Sequence, residues 1–244
     1  MNQVRRSQSR IHRIGLLAAA AAAVLLSACA SPYPPAAPPV ATVQAPQLNS
    51  GDAWVYVQIN GYNNLPLRTV TDTLKATKDG FLVERRSDKE TDPLETEYIS
   101  APWREQGETL GAAQRSFSAP LARIPFPIAS GQGWREQATI TDQRGTNFLW
   151  QVQGHSLGWE RVKTPAGEFV ALRIERQMNL GDYDYAWSDT RVAETYWYAP
   201  EVKRWVRLEH RYERVELWVK AHARRNQRDW IVWELKEFRP ASPR

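Results

Sequence analysis

The sequence predicts an all-β fold built as an antiparallel meander. Two observations carry that expectation. Runs rich in Val, Ile, Thr, Trp and Tyr recur along the chain, and their starts fall about 10–15 residues apart. The apolar content is aromatic-heavy, with 11 Trp, 9 Tyr and 6 Phe against 2 Met in 244 residues. Such side chains suit a pleated surface better than a helix face.

The N-terminus stands apart from that pattern. Residues 1–15 carry Arg5, Arg6, Arg10 and Arg13 and no acid, and an apolar run follows from Ile14 to Leu26. The run is too short to span a bilayer at ~1.5 Å per residue. It has no polar face at helical spacing, which argues against a buried amphipathic helix. A basic head and a short apolar middle make 1–28 a secretory signal. Ser7-Gln8-Ser9 after the arginine pair lack the apolar pair of a twin-arginine signal, so the general secretory route is expected.

Leu26-Ser27-Ala28-Cys29 closes that run, and Cys29 is the single cysteine of the chain. This stretch resembles the lipobox of bacterial lipoproteins. The resemblance implies a diacylated Cys29, cleavage before it and a further acyl chain, palmitate included, on its freed amine. At ~0.8 kcal/mol per buried methylene, such chains make the membrane the first expected partner. Ala30, in place of an Asp that would retain the protein at the inner membrane, implies the outer membrane, lipid-anchored on its periplasmic face.

Residues 29–51 read as the lipidated Cys and a Pro/Ala-rich linker. Pro32, Pro34, Pro35, Pro38, Pro39 and Pro46 stand in a stretch without charge. Proline removes donors from helix and sheet alike, so an extended, solvated spacer of about 60 Å is expected. The β domain is placed at 52–239 because no second linker of that quality follows.

Strands are expected at 53–59, 67–77, 81–86, 95–100, 134–141, 146–153, 157–164, 168–178, 191–198, 203–213, 215–222 and 229–238. Thr164-Pro165-Ala166-Gly167 and Asp142-Gln143-Arg144-Gly145 supply turn chemistry, and 87–93 reads as a loop. Residues 104–115 are the best short-helix candidate, weakened by Gly107 and Gly111.

Charge excludes one class of partner. Four of the 32 basic residues lie in the signal, and the rest are nearly matched by 27 acids. The basic balance therefore gives no reason to expect nucleic acid. The basic excess within 203–239 reads as a solvated strand face with cross-strand ion pairs, or as a contact for anionic headgroups.

Catalytic chemistry is not announced. The folded part has no Gly-x-Ser-x-Gly elbow, no Ser-x-x-Lys and no phosphate-cradling glycine loop. His155, His210 and His222 lack ligand spacing, and Glu209 and His210 must point to opposite faces of a strand. Asp182, Asp184 and Asp189 lack the later ligands and glycine of a calcium loop. No cofactor or metal is expected, and the chain is read as no enzyme.

The aromatic strands are the remaining signal. Trp54, Tyr56, Tyr196, Tyr198, Trp230 and Trp233 lie on strands apolar on both faces, where a one-sided sheet would alternate with polar residues. Either a second layer covers one face, or an apolar groove holds a lipid-like ligand. Core packing is preferred, with these six residues the ligand-binding candidates otherwise.

Val162-Lys-Thr-Pro-Ala-Gly-Glu-Phe169, Thr195-Tyr-Trp-Tyr-Ala-Pro200 and the earlier Gly131-x-Gly-Trp134 resemble a pattern in uncharacterised proteobacterial periplasmic β-proteins. The resemblance spans about 80 residues and implies a single antiparallel curved sheet, a half-barrel or a barrel-like meander. Its fixed positions are turn and packing residues, so no catalytic residue comes with it. The expected role is non-catalytic: binding, or an accessory structural part of the envelope with an envelope protein or lipid as partner. The alternatives are a carrier or sensor of an apolar ligand, and a hydrolase without a recognisable motif.

Overall fold

A computed structural model of the chain describes residues 31–110, 113–182, 187–218 and 223–241. Residues 1–34 and 35–244 separate as two units. Cys29 and the signal lie outside the described residues, as do 183–186 with Asp184.

The second unit is all-β. After β1 (Thr42–Val43) come β2 (Ala53–Asn60), β3 (Pro66–Thr77), β4 (Gly80–Ser87), β5 (Glu95–Ala101), β6 (Arg104–Leu110) and β7 (Ala113–Ala122). They are followed by β8 (Ile128–Ala129), β9 (Gly133–Asp142), β10 (Asn147–Thr164), β11 (Gly167–Asp182) and β12 (Trp187–Ala199). A 3₁₀ turn at Pro200–Val202 leads into β13 (Arg204–Trp218) and β14 (Ala223–Arg239). Twelve of these strands close a barrel in the order β10-β11-β12-β13-β14-β2-β3-β4-β5-β6-β7-β9. Every ladder is antiparallel, and β9 seals the seam on β10. The meander is thus a closed barrel, where a half-barrel or open curved sheet was equally expected. Closure gives each of the twelve described barrel strands a ladder partner on both sides.

Expected strands at 146–153 and 157–164 are one element, β10, whose register shifts between Ser156 and Trp159. Beyond that shift the β10–β11 hairpin outruns its neighbour and crosses β12 to β14. Ala166 N–H at its turn donates to Leu235 O of β14, 3.0 Å, where β14 itself bulges. Trp197 of β12 donates its indole N–H to Glu160 Oε2 of β10, 2.7 Å. The fold thereby supplies the second layer that apolar residues on both faces demanded. Val162, Val206 and Val232 are all buried as a result.

Two expectations are corrected. Residues 104–110 and 113–115 form no helix: β6 and the start of β7 occupy them, with Leu110 opposite Ala113, while 111–112 with Gly111 lie outside the described residues. A Cβ on Gly107 would come within 2.8 Å of Arg115 O, so glycine there permits the close strand approach. Helix-favouring Glu, Gln and Ala give way because the sheet satisfies their backbone. Nor is 35–51 a solvated spacer. Pro35 bridges Glu160, Ala36 N–H donates to Trp159 O at 2.7 Å, and β1 pairs with β8. Val43 and Leu48 are buried. Proline kept the segment extended, but its few apolar side chains found the barrel.

Candidate functional site

Buried contacts from β13 to β3 and from β11 to β6, strands far apart in the barrel order, lie in its lumen. Asp52, just before β2, is fully buried and fixes one end. It accepts from Asn49 N–H at 3.0 Å, Ala241 N–H at 2.9 Å and Lys203 Nζ at 2.9 Å.

Beside it lies a caged cation. Arg204 of β13 is wholly buried, and its guanidinium lies 4.3 Å from the ring centre of Trp205, 4.9 Å from Trp54 and Trp103, and 5.6 Å from Tyr56. Its Nη2 meets Asp72 Oδ2 of β3 at 2.7 Å. Nε and Nη1 have no hydrogen-bond acceptor. Ring quadrupoles take the place of acceptors there, at about 2 kcal/mol when desolvated. The rings are fixed by their own polar edges. Trp54 donates to Val202 O, Trp103 to Lys203 O and Tyr56 to Trp205 O, each at 2.8 Å.

Asp72 joins two cations. Arg85 of β4 grips it bidentately at 2.8 and 2.8 Å and lies 4.5 Å over the Trp233 ring. Burial pushes the Asp72 carboxyl up, but Arg85 and then Arg204 outweigh it and hold it below the usual carboxylate range.

A chain of ion pairs fills the next layer. Glu97 of β5 meets Arg123 Nη1 at 2.8 Å, and Arg123 Nη2 meets Glu105 of β6 at 2.5 Å. Glu105 also holds Arg176 of β11 at 2.5 Å, and Arg176 reaches Glu194 of β12 at 3.1 Å. Tyr196 donates its hydroxyl to Glu194, and His210 Nδ1 lies 3.1 Å from the other oxygen. Burial raises Glu194, yet its bond to His210 and the charge of Arg176 bring it far below the ordinary value. Burial, then the nearby Glu194 carboxylate, pushes the Tyr196 phenol well up.

The aromatic candidates divide accordingly. Trp54, Tyr56, Tyr196, Tyr198 and Trp233 are buried in this packing, and the first two cage Arg204. Tyr198 packs against Phe126, ring centres 5.3 Å apart. Trp230 differs: it is half-buried and opposes Arg211 in the outward-facing row of β13–β14. Glu209 and His210 do face opposite ways, Glu209 to Arg207 and Arg211, His210 to Glu194. Sequence reasoning missed the lumenal charges. Alternation could have found Asp72 and Glu105, each set between apolar neighbours of its strand or the next, but not their partners.

This arrangement holds its charged side chains in mutual contact. Among the described residues no three His, Cys, Asp or Glu side chains form a group able to hold a metal ion. No described helix is long and apolar enough to cross a membrane.

No family model matches the chain, and no curated protein matches it. Two solved structures are similar over 82% of this chain and 100% of theirs, each with a TM-score of 0.45. One is a candidate lipoprotein from Parabacteroides distasonis, 14% identical. The other is a candidate exported protein with a YmcC-like fold from Bacteroides fragilis, 11% identical.

Proposed function

We propose that the mature chain is an acylated envelope lipoprotein, anchored through Cys29 to the periplasmic face of the outer membrane. Its barrel is a non-catalytic scaffold that meets an envelope partner with its outer wall. The observation that carries this reading is the lumen. A carrier of an apolar ligand needs a dry, apolar cavity of some hundreds of Å³. Here the matching space holds Arg204 among four rings and an ion-pair chain from Glu97 to His210. Displacing either to admit a lipid would strand buried charges, at several kcal/mol each.

The anchoring half rests on the lipobox. Cys29→Ser should abolish palmitate labelling and release the protein into the soluble periplasmic fraction. Undiminished labelling would refute it. The scaffold half is tested by solvent extraction of the acylated protein purified from native membranes. Only the covalent acyl chains should be found. A lipid recovered in one-to-one amount from the barrel would make the protein a carrier.

A further inference from the structure

Docking of the strap limits how far the barrel stands from its anchor. Pro35 bridges Glu160 and Ala36 N–H donates to Trp159 O, so the chain is held to β10 from Pro35 onward. Only residues 30–34 separate that point from Cys29. At about 3.5 Å per residue, even a fully extended chain spans roughly 20 Å there. With Cys29 acylated, the barrel surface around Pro35 is thus kept close to the lipid headgroups, where a free spacer would have let it drift.

The surface at that point is uncharged and apolar. Pro35, Ala37, Pro38, Pro39 and Val40 are all exposed, Val40 by 44%. Charged residues make up 24% of the chain, yet 30–51 holds none. The strap next pairs with β8, Thr42 opposite Ala129, and Ser130 just past β8 donates its hydroxyl to Leu157 O of β10. Leu157 is therefore bracketed by the strap's two attachments, β8 and Glu160, and it is 39% exposed. Contiguous apolar side chains without a charge among them are unfavourable in water and suited to a headgroup boundary. Hairpin turns of an antiparallel meander alternate between its two ends. The β7–β9 connection that carries β8 and the β10–β11 turn thus share one end, and the β2–β3 turn with Tyr62 lies at the other.

The tether decides what covers this face. An acyl anchor at Cys29 presents a lipid surface at high effective concentration to whatever lies within the tether's reach, and the strap face lies there. We infer that the strap from Pro35 to Val40, together with Leu157, is the surface on which the barrel rests against the bilayer, its apolar side chains seated at the headgroup boundary. The contact is apolar, so it needs no particular headgroup charge. The far end of the barrel, with Tyr62, then points away from the membrane. The inference rests on the acylated reading above and gives the anchored barrel its orientation.

The test uses the full mature acylated chain in vesicles of phosphatidylethanolamine and phosphatidylglycerol, isolated by flotation. Acylation consumes the thiol of Cys29, the chain's single cysteine, so an introduced cysteine is the only free one. Pro39→Cys and Tyr62→Cys, both at exposed positions, are labelled with an environment-sensitive maleimide and quenched by lipid spin-labelled near its headgroup. The label at 39 should be blue-shifted and quenched about threefold or more above the label at 62. Adding Val40→Asp or Leu157→Asp, also at exposed positions, should lower quenching at 39 by about twofold or more. Equal quenching at 39 and 62, or unchanged quenching at 39 in both aspartate variants, would overturn the inference. So would a blue shift at 39 without lipid quenching, or one lost on diluting the protein in the vesicles, since a second copy would then cover the strap. Loss of flotation would refute the acyl anchor and this inference with it. Floated protein with equal quenching refutes the orientation alone, and the lumen enters none of these readouts.

Discussion

Asp72 shows how single residues hold this barrel. It is buried, carries its charge, and closes on Arg85 of the adjacent strand and Arg204 of the more distant β13. Removing it leaves two buried guanidiniums without their shared counter-ion. Asp72→Ala should therefore cost about 3–5 kcal/mol, measured by denaturant unfolding. The acid limb of stability follows from the same group. Asp72 and Glu194 both lie below their ordinary values of 3.8 and 4.5. A depressed carboxylate contributes its full stability above its unfolded value and loses it as pH falls toward the folded one. The melting temperature should hold from neutrality down to about pH 5 and then fall steeply below about pH 4. Asp72→Asn should start lower and show a shallower fall. A parallel acid limb in that variant would mean that Asp72 gains no proton on unfolding.

Elements divide by what sequence can reveal about them. The strap of 35–51 is legible as extended, since prolines dictate it, but not as docked, because Val43 and Leu48 are isolated apolar residues in a polar run. Its docking is testable. Leu48→Ala should cost about 2–3 kcal/mol and lower the melting temperature by roughly 5–10 °C. A chain beginning at Asn49 should fall at least as far. An unchanged melting temperature in both would mean that the strap merely rests on the barrel.

The strands were legible wherever aromatic and β-branched residues alternate, as in 53–59 and 229–238. Residues 104–115 misled because Glu105 is a strong helix former, although its carboxylate holds Arg123, just past β7, and Arg176 of β11. Such charges are invisible to local patterns: Glu105 and Arg176 are 71 positions apart, and only barrel closure brings them together. The six aromatic candidates were legible as a group. What separates Trp230 from the rest is its parity within β14, which was readable, and the lumenal placement of the others, which depends on closure.

At the scale of the whole molecule, closure turns a sheet with two apolar faces into a barrel with a charged interior. The hairpin of β10 and β11 covers part of the outer face, and ion pairs, a caged arginine and an apolar cluster that includes Phe117, Leu121, Ile140, Trp150, Met178 and Val192 fill the inner one. That filling is the central claim, because it separates a scaffold from a carrier. It is tested most directly by titrating the mature Cys29→Ser protein with an apolar fluorophore and a fatty acid, following Trp fluorescence. The filled lumen predicts no saturable change at micromolar ligand. A one-site isotherm, lost in Trp54→Ala or Tyr198→Ala while far-ultraviolet circular dichroism stays native, would contradict it.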